Sequence, residues 1–117
     1  MFSRNFCIAA LFCMLIGSAA SMNAQETEQP LRVALAGLVH GHADGFFSHS
    51  LGRPDIQIVA IAEPDHALFD RYAAKFRLDP SLYHADLDEM LRTVHPQAVL
   101  GYTSTFDHRK VVELCAR

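Results

Sequence analysis

The chain has 117 residues, half of them hydrophobic and 20% charged, with a formal net charge of −3. That length holds one small domain, and the acidic balance excludes a nucleic-acid binder, which would carry a basic patch.

The first 24 residues read as an export signal. Arg4 gives a positive start, Phe6 to Ile16 form an uncharged apolar run, and Gly17-Ser18-Ala19-Ala20 are small residues suited to cleavage. The apolar run is shorter than the roughly 20 residues that span a bilayer, and cleavage would follow Ala20 or Ala24. The expected location is periplasmic or secreted, with an uncleaved membrane anchor as the alternative. Removal of residues 1–24 takes Arg4 and no acid, so nine of the ten basic residues face 13 acidic ones, a net charge of −4. It also takes Cys7 and Cys13. Cys115 then stands alone, and no internal disulfide can form. Residues 25–30 read as a polar linker, and residues 31–117 as the folded domain.

From Leu31 onward, strand-like and helix-like patterns alternate, which predicts a parallel sheet with covering helices. Arg32 to Ala36 form a first apolar strand leading into Gly37. A helix follows from about His42 to Leu51, ended by Gly52-Arg53-Pro54. Ile56 to Ala62 form the second strand. Asp65 then caps a helix whose Leu68, Tyr72 and Phe76 lie four apart, with Phe69 and Ala73 beside them. Asp79-Pro80-Ser81 is a turn, and Leu82-Tyr83-His84 a short edge strand. Asp86 and Glu89 have capping-box spacing before a helix that turns Leu87, Met90, Leu91 and Val94 inward. Ala98 to Thr103 is a further buried strand, and a last helix starts near Asp107 and carries Val111, Val112, Leu114 and Cys115.

The strand, glycine turn, helix and second strand from Arg32 to Asp65 have the layout of a dinucleotide-binding βαβ unit. Such a turn offers backbone N–H groups to a pyrophosphate at a helix N-terminus, where the helix dipole favours negative charge. The turn is Gly37-Leu38-Val39-His40-Gly41-His42. Against Gly-x-Gly-x-x-Gly only the first glycine is in place, with Val39 at the second position and His42 at the third. Val39 matters most, because the second glycine lets backbone approach phosphate without a side chain between them. The other reading is that Gly37 and Gly41 serve only to make a sharp turn. Glu63, 26 residues after Gly37 at the end of the second strand, is placed to accept adenosine ribose hydroxyls and to repel a 2′-phosphate. NAD is thus favoured over NADP. Glu63 as an ordinary solvated acid at a strand end, helping to cap the next helix, is the competing reading.

Five segments in order carry a further likeness: Arg32 to Gly37, Val59 to Asp65, Tyr72 to Phe76, Asp86 to Leu91, and Ala98 to Thr103 with His108. Together they resemble the N-terminal NAD(P)-binding domain of the Gfo/Idh/MocA oxidoreductases. The resemblance implies an α/β, Rossmann-like parallel sheet with helices on both faces, incomplete at its C-terminal side. It also implies that Thr103 and His108 lie beside the cofactor, although Ser104 stands where the family has proline. Family members continue into a strand closing with Glu-Lys-Pro and a second domain that holds a sugar-like substrate and most catalytic groups. Without these, the expectation is no dehydrogenase turnover by this chain alone. In the doubly wound order the strand from Ala98 would have a bare outer edge, which predicts self-association.

His40 and His42, joined by His108, are also a candidate zinc set, but the spacing is unspecific. His49, His66, His84 and His95 are expected at the surface. Cofactor binding therefore rests on Gly37, Leu38, Val39, His40, Gly41, His42, Glu63, Thr103 and His108, with no catalytic or metal residue assigned. An exported non-catalytic ligand-binding module and an inactive fragment are the alternatives.

Overall fold

The computed structural model describes residues 28–117. The signal segment, and the first half of the linker, residues 25–27, lie outside the described residues. Four strands, β1 (Leu31–Ala36), β2 (Ile56–Ala62), β3 (Tyr83–His84) and β4 (Ala98–Gly101), form one sheet in the order β3-β2-β1-β4. Every pairing is parallel. Four helices, α1 (His42–Ser50), α2 (His66–Phe76), α3 (Leu87–Val94) and α4 (His108–Cys115), connect and follow the strands.

The sheet is apolar on both sides, and the two sides differ in character. Leu35 and Ile61 join Phe47 of α1 and Phe69 of α2 in the larger cluster, with Tyr72 and Phe76 packed against it. Phe47 stacks on Phe76 at 5.2 Å between ring centroids. Ala34, Ala60 and Ala62 face the other way against Met90 of α3, flanked by Leu87, Leu91 and Val94. Small side chains on the strands leave room for the long, adaptable Met90. The chain thus winds α1 and α2 over one face and α3 over the other, which is the Rossmann-like α/β arrangement that the alternating pattern implies.

One irregularity interrupts β2. Val33 pairs with Ile58, but Ala34 pairs with Ala60, so Val59 is an extra residue in the strand. Its side chain shares the Met90 face with that of Ala60, as two consecutive residues do at a bulge.

Helix ends follow the sequence closely. Asp65 accepts from the Leu68 amide at 3.2 Å and Asp86 from the Glu89 amide at 2.8 Å. The expected box at α3 closes from one side only, because the Glu89 carboxylate turns to His84 Nδ1 at 2.9 Å. At the C-terminal end of α3, the Arg32 guanidinium donates to the carbonyls of Val94 (2.7 Å) and His95 (2.9 Å). These are carbonyls that a helix otherwise leaves unpaired.

Three expectations need correction. β4 ends at Gly101 and not Thr103, although the Tyr102 amide still donates to Ala36 O at 2.8 Å. Nor is β4 a buried strand, since Ala98, Val99 and Leu100 are half-buried and Gly101 is exposed. His84 is not a free surface residue, since Glu89 and its own strand hold it. No described helix is long and apolar enough to cross a membrane, and β4 pairs only with β1 among the described residues.

Candidate functional site

After β1 the chain moves outward to β2 and β3, and then returns to the opposite side of β1 as β4. Ligands of open α/β sheets bind beyond the carboxyl ends of the strands at such a reversal. A cavity of about 390 Å³ lies at this point, within the roughly 300–1,000 Å³ common for ligand pockets. Gly37 and Val39 from the β1–α1 turn, Glu63 after β2, and Thr103 after β4 all line it.

Gly37 is required by the fold. Its φ is +82°, and a Cβ there would lie 2.8 Å from Thr103 Cγ2 and 3.0 Å from the Thr103 backbone. The close approach brings the two turns together to make the cavity wall. Gly41 is different: it has helical backbone angles, and a Cβ there would meet nothing within 4 Å. No conformational or packing demand explains a glycine at that position.

The amides of the turn are partly committed. Gly37 N donates to Ala62 O, His40 N to Tyr102 O, and Leu38 N to Glu63 Oε2 at 2.8 Å. Among the described residues, the Val39 and Gly41 amides have no protein acceptor, which leaves two backbone donors for an anion.

Glu63 is 3% exposed, so it is not the solvated acid of the competing reading. Its second carboxylate oxygen, Oε1, accepts at 2.9 Å from the N–H of Asp65, the N-cap residue of α2, so the capping half of that reading holds. A buried carboxylate needs such partners, because an unpaired buried charge is costly. Each oxygen still has acceptor capacity for a further donor. Thr103 Oγ1 is buried with no hydrogen-bond partner among the described residues. A buried hydroxyl without a partner costs about 1–3 kcal/mol.

The structure therefore brings together Gly37, Val39, Glu63 and Thr103. Leu38 contributes only its amide, since its side chain is in the core. His40, Gly41, His42 and His108 are exposed and do not line the cavity. The rings of His40 and His42 lie 4.5 Å apart, yet no described group of three His, Cys, Asp or Glu side chains is arranged to hold a metal.

Lys110, Leu114 and Arg117 also line the cavity, along with Asp107 and Val111, and none of them stands out as a site residue in the sequence. Their spacing is that of one helix face, so the signal is present. What the spacing lacks is the direction in which α4 turns that face. Asp86 and Asp88, at the start of α3, complete the opposite wall.

Comparison with family models, with characterised proteins and with solved structures gives no match for the chain.

Proposed function

We propose that this cavity binds the nucleotide portion of NAD, and that the domain is the dinucleotide-binding part of an oxidoreductase of the Gfo/Idh/MocA kind. The convergence of the Gly37 turn, Glu63 and Thr103 at one strand-order reversal carries this reading. The free amide of Val39, on the cavity wall, would receive the pyrophosphate, the helix dipole of α1 adding to its pull. Lys110 and Arg117 bring positive charge to a cavity that otherwise carries four acids. The Glu63 carboxylate, at the end of β2, would meet the adenosine ribose and favour NAD over a 2′-phosphorylated cofactor. The Thr103 hydroxyl would meet the polar end of the nicotinamide half. The nicotinamide supplies hydride transfer when bound, and the described residues serve to bind and orient it.

Calorimetric titration of the purified chain with NAD, NADP and simple sugars tests the proposal. Saturable heat with NAD, weaker heat with NADP and none with sugars is the expected result. Heat with sugars alone would point instead to an exported binding module, and no heat with NAD would overturn the nucleotide reading.

A further inference from the structure

The two edges of the sheet are unequal. β3 is only two residues long, with His66 stacked on its Tyr83 at 4.3 Å and Glu89 paired with its His84. A short edge strand flanked by charge resists pairing with another chain. β4 has no such device. Its four residues pair with β1 without a register shift, and neither they nor the flanking Gln97 and Tyr102 carry a charge. The outer row of N–H and C=O groups on β4 has no partner strand among the described residues.

Helix α4 lies beside this edge, against β4 and α3. Val111 is its buried residue and sits over Gly101 of β4, while Lys110, Leu114 and Arg117 line the cavity. A helix turns about 100° per residue, so the residue after Val111 is carried further round, away from the cavity side. That residue is Val112, and it is 66% exposed. Arg109 and Glu113 pair with each other at 2.6 Å one turn apart, and both are exposed.

We propose that a second copy of this chain docks on this edge, across a two-fold axis perpendicular to the sheet. β4 pairs with its own copy in antiparallel fashion, and one sheet continues into the other. Such an axis keeps the two α4 helices on the same face and sets them antiparallel, Val112 against its counterpart. Charge order selects a second copy as the occupant. α4 carries its cation one turn before its anion, so reversing the helix brings Arg109 of each copy to Glu113 of the other. A two-fold contact requires a self-complementary surface of this kind. Lys110, Leu114 and Arg117 stay on the cavity side, so the association does not depend on the nucleotide reading.

Sedimentation velocity of the full chain over a concentration series tests the proposal. A monomer–dimer equilibrium is expected, and a monomer at every concentration overturns it. Arg109→Glu and Glu113→Arg each set like charges across the axis, and each should weaken dimerisation about tenfold. The double variant reverses both charges and should recover the wild-type association. These variants leave every residue outside α4 unchanged. Association that the single changes do not weaken, or that the double change does not recover, uses another surface and refutes the proposal. Hydrogen exchange of the unaltered chain is a second measurement should a variant not fold. The β4 amides should exchange several-fold more slowly at dimer-forming concentrations, and those of β3 should not. A dimer whose β4 amides exchange as in the monomer would also overturn it.

Discussion

Gly37 and Thr103 are in such close approach that one added carbon on Gly37 would fall 2.8 Å from Thr103 Cγ2. The contact joins the β1–α1 turn to the segment after β4, and so shapes the cavity. Gly37→Ala must accept both this clash and a backbone φ of +82°. Left-handed backbone costs a non-glycine residue about 1–2 kcal/mol, and overpacking typically about 1–3 kcal/mol more. The expected loss is about 2–5 kcal/mol, measured by urea unfolding. Thr103→Ser removes the nearest carbon, so the double variant should lose less than the sum of the two single ones. Strict additivity would show that the contact is not the source of the cost.

Val39 is 66% exposed and lines the cavity where a glycine would let backbone come closest to phosphate. Val39→Gly should therefore tighten NAD binding, by roughly threefold to tenfold, equivalent to about 0.7–1.4 kcal/mol. Calorimetry is the readout. Weaker binding would mean that the valine contacts the ligand productively.

The glycine that begins the turn is legible in the sequence, and so are the strands. Ile56 to Ala62 and Ala98 onward are apolar runs too short for helices, and Asp65 and Asp86 stand where helix caps belong. Other features depend on register, which local composition does not encode. Glu63 is visible as an acid at a strand end, but its burial follows from parallel pairing that places the end of β2 beside the turn after β1. Val59 as an extra residue is invisible in a run where every neighbour but Gln57 is apolar. The helix face bearing Lys110 and Arg117 has a clear period, and only the packing of α4 decides that it turns toward the cavity.

Loss of a helix cap typically costs about 1 kcal/mol, so Asp86→Ala should lower the melting temperature by about 4–8 °C in a domain of this size. Glu89→Ala should cost less by thermal melting, because its carboxylate pairs with His84 instead of closing the box. An equal or larger loss for Glu89→Ala would assign the structural weight to the His84 contact.

Acid stability has a specific contributor at Asp79. The Ser81 backbone N–H, at 2.8 Å, holds the Asp79 carboxyl below its ordinary value. A carboxyl depressed in the folded state stabilises fully above its unfolded pKa of about 3.9, and that contribution is lost as pH falls through the lower folded value. The stability gap between the wild-type chain and Asp79→Asn should therefore be constant near neutrality and narrow below about pH 4. Chemical denaturation at a series of pH values measures it. A gap that stays constant through the acid range would remove Asp79 from the pH dependence.

The extra residue in β2 has a consequence for chain length. Because Ile58 and Ala60 already flank consecutive partners on β1, excising Val59 would leave every other side chain of the strand on its present side. Length variation is usually confined to loops, yet here a one-residue deletion within a central strand is the indel that the domain is built to absorb.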